Sequence, residues 1–265
     1  MSGWGQGERA RGATLVSAGA DRLTTVTDAE IQFRTDVTVE LVRANAQDAD
    51  VLFAARVSTK GEQSLEDVGA DASKSAGLIN YLMRDRHGSP FEHNSMTFYV
   101  QAPIFVFREF MRHRIASYNE ESGRYRELRP VFYHPGPERN LIQQGKPGAY
   151  EFVPGTPEQT ALVEREIKDS CTAAYASYQR MLDAGVAREV ARAVLPVTIY
   201  SSMYVTMNAR SLMNFLSLRT KREGTHFPSF PQREIEMVAE KMEDYWADLM
   251  PMTYGAFNKA GRVAP

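Results

Sequence analysis

The sequence is poor in cysteine, since Cys171 is the only one in 265 residues. A lone cysteine cannot form a disulfide within the chain, and no histidine or basic cluster lies beside Cys171 to favour its thiolate. We therefore expect a packed core thiol rather than a nucleophile. The chain also lacks a signal-like beginning and an apolar run that could span a bilayer, which predicts a cytoplasmic protein without membrane contact.

A large excess of either charge is also missing, with a formal net charge of -2 and a pI near 6.2. Any anion binding must therefore come from local clusters. No glycine-rich phosphate loop follows a predicted strand, which argues against a Rossmann domain or a nucleoside triphosphatase. His87 and His93 bracket Glu92 across a proline turn without the spacing of a helical metal site, so we expect no metal.

Hydrophobic periodicity predicts an α+β fold: a single compact domain with a central, mostly antiparallel sheet and long helices packed around it. Residues 1–35 are interpreted as a flexible extension, residues 36–250 as the domain and residues 251–265 as a tail. Polar residues 116–128 are predicted to be a loop, and proline-rich residues 134–158 an irregular connection.

Three segments show the alternation expected of strands: DVTVELV from Asp36, NSMTFYVQA and TIYSSMYVTM. Helices are predicted in DADVLFAARVS, GADASKSAGLINYLMRDRHG, PIFVFREFMRHRI, TPEQTALVEREIKDSCTAAYASYQRMLDAG and VAREVARAVLP, and near residues 208–220 and 231–249.

The segment RHRIASYNEESGRYRELR, from Arg112 to Arg129, concentrates charged and polar residues at the end of a predicted helix. Arginine forks match phosphate oxygens, and Ser122 with the backbone at Gly123 can add donors, so a phosphorylated small molecule is one interpretation. The alternative is a solvated loop whose arginines pair with the glutamates of the same segment.

The segment NARSLMNFLSLRTKR reads as a helix with Asn208 near its N-cap and a net charge of +4. Arg219 follows Leu212 by seven residues, so this cation lies in line with the apolar stripe. Such a guanidinium either snorkels past the helix end or meets a ligand or carboxylate, and spacing alone favours snorkelling. For His87 the residues alone suggest a cap at a helix C-terminus, and for His93 a hydrogen-bonded core histidine.

The segment RHRIASYNEESGRY resembles the RHRxxSxNExSxRY signature of the flavin-dependent thymidylate synthases, with every fixed position present. HGSPFEH, ARAVLP and NARSLMNFLSLR look like further blocks of that family, so the resemblance covers roughly residues 36–250. It implies a homotetramer whose active sites combine several subunits. Two features depart from the family's pattern: Glu109, where glutamine is common, and extra residues in the 220–233 link.

The resemblance assigns roles to single residues. Arg219 would contact the uracil and favour its ionised form, acting as the catalytic residue. The positions implied for dUMP, besides Arg219, are Arg112, Glu120, Glu121, Ser122, Gly123, Arg124 and Arg192. Those implied for FAD are Ser89, Arg112, His113, Arg114, Glu120, Asn208, Arg210 and Asn214, and His87 and Tyr125 would flank the folate and flavin rings.

The implied reaction is reductive methylation of dUMP to dTMP, with methylene-tetrahydrofolate as carbon donor and FAD, reduced by NADPH, as hydride donor. Two rival interpretations remain at this point. One is a nucleic-acid-binding protein that uses the arginine clusters on phosphates, against which the negative net charge argues. The other is a flavoprotein homologue without synthase activity.

Overall fold

The computed structural model describes residues 30–61, 72–146 and 149–265. The helices are α1 Asp48–Lys60, α2 Ala72–Arg84, α3 Ile104–Phe110, α4 Pro157–Asp183, α5 Arg188–Ala191, α6 Ala209–Arg219, α7 Arg233–Leu249 and α8 Pro251–Lys259. The strands are β1 Gln32–Arg34, β2 Thr38–Asn45, β3 Ser95–Pro103, β4 Ser117–Glu120, β5 Val131–Tyr133, β6 Ile142–Lys146, β7 Ala149–Val153 and β8 Tyr200–Met207.

The main sheet has four strands in the order β2-β3-β8-β4. Each neighbouring pair is antiparallel, and the longest ladder joins β3 to β8 from Met96↔Met207 to Pro103↔Tyr200. A short parallel pair, β1 with β5, and the β6–β7 hairpin lie outside this sheet. The prediction of a central antiparallel sheet in an α+β fold is confirmed.

The sheet has one apolar and one polar face because its strands alternate. Phe98 and Val205 face each other across the β3–β8 ladder and are fully buried against the helices, in a core that includes Phe215 of α6 and Trp246 of α7. Their neighbours Tyr99 and Tyr204 face the other way and line an open depression of about 610 Å³. The burial of one sheet face fixes the register of the strands.

Helix boundaries follow the capping residues in the sequence. Thr156 accepts a hydrogen bond from the backbone N–H of Gln159, whose side chain accepts from the Thr156 N–H, which forms a capping box at the start of α4. Past the other end of α4, Gly185 has a φ of 81°. The Asn208 side chain accepts from the Ser211 N–H (2.9 Å), which confirms it as the N-cap of α6.

A second hydrophobic cluster lies under α4 and contains Cys171, which is buried as expected. Its Sγ atom lies 3.3 Å from Thr198 Oγ1, and burial raises the pKa of the thiol. In the described residues, no helix is both long and apolar enough to cross a membrane.

Several segments differ from the sequence prediction. Strand β4 lies inside the predicted loop 116–128, and the β6–β7 hairpin lies inside the predicted irregular connection 134–158. Strands β4 and β6 are short and polar, and β7 is short and largely exposed, so pairing with a partner strand stabilises them more than burial of their own side chains. Of the predicted extension, Gln32–Arg34 forms a strand, while residues 1–29 lie outside the described part, as do the first residues of the second predicted helix.

Residues 251–265, expected to be a tail, belong to the folded core. Helix α8 buries Phe257 completely, and the side chain of Arg262 is only 4% exposed. Arg262 Nη1 donates to Glu243 Oε1 (2.6 Å) and Arg262 Nη2 to Thr220 Oγ1 (2.9 Å). A buried guanidinium with these partners ties the end of the chain to α7.

Phe98 gives a direct test of the core. We expect Phe98→Ala to lower the free energy of unfolding by about 3–5 kcal/mol, because it leaves a cavity under the sheet. Phe230, whose side chain is 55% exposed, serves as the control, and Phe230→Ala should change stability by less than about 0.5 kcal/mol. Urea unfolding followed by circular dichroism measures both, and equal effects of the two substitutions would contradict the assigned core.

Candidate active site

The arginine-rich segment after α3 folds into a turn and then a strand. Helix α3 ends at Phe110, earlier than predicted, and the His113 N–H bonds back to the Phe110 carbonyl oxygen (3.0 Å). The Tyr118 hydroxyl donates to the carbonyl oxygens of His113 (2.6 Å) and Phe110 (3.1 Å). Burial of this hydroxyl raises its pKa to about 12, so it stays protonated and holds the turn.

Arg219, at the end of the apolar face of α6, meets a carboxylate rather than snorkelling into water. Its side chain is 16% exposed, and its Nη1 donates to Glu109 Oε2 (2.7 Å). Its Nε donates to Nε2 of His113 (3.0 Å). Leu212, Phe215 and Leu216, which precede it on the apolar stripe of α6, are buried, so the guanidinium is held at the edge of the core with a defined orientation.

His113 is kept neutral in this arrangement. Burial and then the positive charge of Arg219 lower its pKa to about 4, against a smaller opposing effect of Glu109. A neutral imidazole can accept a hydrogen bond, as Nε2 does from Arg219, whereas an imidazolium could not. The ring also packs edge-on against Phe215, with centroids 4.9 Å apart.

Four of the residues expected to bind dUMP lie around a second feature, a depression of about 410 Å³ between β4, β8 and α5, whereas Ser122 lines the depression on the polar face of the sheet. Glu120, Glu121, Gly123 and Arg192 line this second feature. A Cβ atom on Gly123 would lie 3.2 Å from Arg192 Cδ, so glycine allows the loop to approach the arginine closely.

The acidic and basic groups of this depression are partly paired with one another. Glu121 binds Arg126 (2.9 Å) and accepts from Ser202 Oγ (3.1 Å), while Arg124 pairs with Glu189 at 3.3 Å. The interpretation of loop arginines paired with nearby acids is therefore correct for Arg126. Burial raises the pKa of Glu120, against the lowering influence of arginines near it.

Arg112 and Arg114 behave differently from the paired arginines of the loop. Both are exposed, and neither makes an ion pair within the described part of the chain. Two guanidinium groups in one turn without carboxylate partners are suited to an anionic ligand. This arrangement fits their predicted contact with a flavin nucleotide.

The other positions expected to bind flavin come together at the N-terminus of α6. Ser89 opens a short 3₁₀ turn, and Asn94 beyond it accepts a hydrogen bond from the Ala209 N–H (2.8 Å). Arg210 forms an ion pair with Glu92 and donates from Nε to the Pro265 carbonyl oxygen (2.7 Å). Asn214 Nδ2 donates to the Arg210 carbonyl oxygen (3.0 Å).

Gly88 allows this arrangement, because a Cβ atom there would lie only 2.5 Å from Arg210 Cζ. His87 stacks on Tyr81, with ring centroids 5.6 Å apart, and its backbone N–H rather than its imidazole caps α2 by bonding to Leu82 (2.9 Å). Tyr125 is 78% exposed, so its ring is available for a contact with a ligand.

Within one chain, Arg219 does not lie beside the other residues expected to bind dUMP. Arg219 lines neither the depression around Arg192 nor the one on the polar face of the sheet, as far as the described residues define them. Sequence reasoning also missed Arg108, which lines the depression beside Arg192. Its position four residues before Arg112, on one face of the helix predicted in PIFVFREFMRHRI, was the available signal.

Metal ligands are not clustered in the described residues, in which no group of at least three His, Cys, Asp or Glu side chains could hold an ion.

The lowered pKa of His113 predicts how stability depends on pH. Between pH 6.5 and about 4 the unfolded chain binds a proton at this residue that the folded chain does not, so stability falls as pH falls through that window. Because the ring is only half-buried, we expect this contribution to be on the order of 1–2 kcal/mol. Urea unfolding of wild type and His113→Asn at pH 7 and pH 4.5 measures it. The variant should lose less stability than wild type, and equal losses would contradict the assignment.

Comparison with known proteins adds to this geometry. Residues 40–252 match the family model described as thymidylate synthase complementing protein. The flavin-dependent thymidylate synthase of Streptomyces coelicolor is 70% identical over 239 residues, covering 90% of this chain and 97% of the relative. That of Tropheryma whipplei is 59% identical over 233 residues, covering 88% and 97%.

A solved structure is similar as well. The UMP/dUMP methylase PolB from Streptomyces cacaoi, bound with 5-Br dUMP, superposes with a TM-score of 0.84 at 56% identity, covering 89% of this chain and all of that one. These similarities support the enzyme interpretation and not the nucleic-acid-binding one. The chain belongs to the family of flavin-dependent thymidylate synthases, which are methyltransferase enzymes.

Proposed function

We propose that the protein converts dUMP to dTMP, with methylene-tetrahydrofolate as carbon donor and with FAD that is reduced by NADPH. The observation that carries this proposal is the fixed guanidinium of Arg219, held by Glu109 and His113 at the edge of the core. A preorganised cation of this kind stabilises negative charge that develops on a bound ring.

Arg219 would contact the uracil and favour its ionised form, which raises the nucleophilicity of the ring carbon that accepts the one-carbon unit. Its Nη2 atom makes no hydrogen bond within the described residues, so it can donate to a uracil oxygen. Because His113 is neutral, Arg219 is the positively charged member of this pair. Its electrostatic field therefore acts on the uracil ring without competition from an imidazolium.

The phosphate of dUMP would lie in the depression beside Arg192 and Gly123. The Arg124 N–H donates a hydrogen bond of 3.3 Å to Ser122 Oγ. This bond fixes the backbone of the loop that contains Gly123. Arg108 and Arg192 are the two cations of the lining, and guanidinium groups match phosphate oxygens in geometry. Glu120 and Glu121 limit the positive field and so favour one anion over a polyanion.

Flavin binding is assigned to the exposed pair Arg112 and Arg114 and to the α6 N-terminus with Ser89. Gly88 supports this assignment because it lets the Arg210 guanidinium lie directly against the turn that carries Ser89, which fixes the position of this arginine. When bound, the flavin supplies the hydride that completes the methyl group. The residues of this chain bind and orient the reactants and exclude water from them.

A homotetramer is the assembly that best accounts for the divided site. Arg219 and the loop with Arg124 belong to different surface features of one chain, and a ligand that touches both would need a second subunit. The exposed polar face of the sheet, with Tyr204 at 46% exposure, offers surface for such an association.

The role of Arg219 is tested by release of tritium from the uracil ring of labelled dUMP. We expect Arg219→Lys to reduce release by about 100-fold or more, because a lysine cannot keep the oriented fork. The control is Arg165→Lys on α4, where the pair with Glu166 is exposed, and it should keep wild-type release. Unchanged release by Arg219→Lys with bound flavin would contradict the role.

The divided site is tested by mixing two inactive variants. Arg219→Ala and Arg124→Ala chains carrying different tags are co-expressed, and the mixed oligomers are isolated through both tags. If each site combines these residues from different subunits, mixed oligomers contain some intact sites and regain tritium release. Mixed oligomers as inactive as the two parents would show that both residues serve from one chain.

A second substrate is suggested by the similarity to PolB, which is described as a UMP/dUMP methylase. The two nucleotides differ only by the ribose 2′-hydroxyl. Tritium release from labelled UMP, measured beside dUMP, decides whether this chain shares that breadth, and we expect dUMP to be the preferred substrate.

A further inference from the structure

A basic groove lies between α2 and the end of α8, outside the residues assigned to the reaction. Its volume is about 520 Å³, and its lining includes Gly77, Tyr81, Arg84, Arg86, His226 and Lys259. Among the described residues no Asp or Glu side chain lines it. Three formal cations around one concave surface favour an anionic ligand.

Of the three cations of the groove, Lys259 is not used by the fold and Arg86 is used only in part. Lys259 is exposed and makes no ion pair within the described residues. Arg86 donates from Nη1 to the Ala264 carbonyl oxygen (2.6 Å) and has further donors on its guanidinium. Arg84 pairs with Asp85, which lies outside the lining, and its guanidinium lies over the Tyr81 ring at 5.5 Å.

Helix ends do not explain these cations. Lysine and arginine often serve to bind the free carbonyl groups of a helix C-terminus. Here backbone donors already bind them, His87 N–H to Leu82 O (2.9 Å) after α2 and Arg262 N–H to Phe257 O (2.9 Å) after α8. The Lys259 ammonium and the remaining donors of Arg86 are therefore available for a ligand.

Arg86 is held in an unusual backbone conformation. Its φ is 64°, in the left-handed region where the position after a helix ordinarily takes glycine. A non-glycine residue there carries a small strain, which is common where a side chain has a task. The conformation places an arginine at the rim of the groove.

The groove adjoins the stack of His87 on Tyr81, and the resemblance to the flavin-dependent thymidylate synthases implies that His87 flanks the folate ring. Tyr81 belongs both to the groove lining and to the stack with His87. A ligand whose ring lies at His87 would therefore reach the cations with an extended anionic chain. Folates carry such a chain, built of glutamates that each expose a carboxylate.

We propose that this groove binds the glutamate chain of the methylene-tetrahydrofolate cosubstrate. The inference rests on the proposed function, in which methylene-tetrahydrofolate is the carbon donor, and on the place at His87 that the resemblance implies for its ring. Cation–carboxylate pairs at this exposed site strengthen binding without touching the reacting atoms, so the groove affects KM and leaves kcat unchanged.

Two variants test the groove by independent means. Lys259→Gln removes one charge. Gly77→Leu adds bulk where a Cβ atom meets nothing within 4 Å, on the helix face that also carries Tyr81 and Arg84. Neither residue is assigned to the reaction. The matched control is Lys241→Gln, an exposed lysine on α7 outside the lining.

Steady-state tritium release is measured for the flavin-loaded enzyme with the monoglutamate and the triglutamate of methylene-tetrahydrofolate. For wild type we expect a lower KM with the triglutamate. Lys259→Gln and Gly77→Leu should each raise that KM by roughly three- to fivefold, with kcat and the KM for the monoglutamate little changed. The control should match wild type, and the wild-type preference should shrink at high salt.

Results that would overturn the groove assignment can be told apart from a result that would contradict the proposed function. A wild type that is active but has equal KM values for both folates, or variants that raise both KM values equally, would overturn the groove assignment. A rise confined to the KM for NADPH would also overturn it, because the groove would then bind phosphate. A wild type without tritium release on either folate would instead contradict the proposed function.

Discussion

The antiparallel ladder between β3 and β8 is the interaction on which the rest of the structure depends. It joins strands about a hundred residues apart in sequence and buries Phe98 against Val205. The segments with functional residues all flank these two strands. The turn with Ser89 precedes β3 and the arginine-rich turn follows α3, while Arg192 precedes β8 and α6 follows it. Pairing these two buried strands therefore places the segments around one sheet within the chain.

The second constraint is electrostatic. A guanidinium at the edge of an apolar core requires acceptors, and Arg219 has Glu109 on one nitrogen and His113 on another. The carboxylate offsets part of the positive charge, and the imidazole fixes the direction of the group without adding charge. In the proposed function, the balance between these two partners would set how strongly Arg219 stabilises an ionised uracil.

Much of this could be predicted from local sequence. Alternation predicted β3 and β8, and capping residues such as Thr156 and Asn208 predicted the starts of their helices, because these signals depend on near neighbours. Strand β4 could not be predicted, since SYNE is polar and becomes a strand only through its pairing with β8. The partner of Arg219 could not be predicted either, because Glu109 lies 110 residues away in sequence.

The measurement that tests the central claim most directly is the pH dependence of kcat/KM for dUMP in Glu109→Gln. Glutamine keeps an oxygen acceptor for Arg219 and removes the negative charge, so the guanidinium should favour the ionised uracil more strongly. We predict that the rising limb of the profile moves to lower pH than in wild type. An unchanged limb, or one moved to higher pH, would contradict the account that Arg219, balanced by Glu109, activates the uracil.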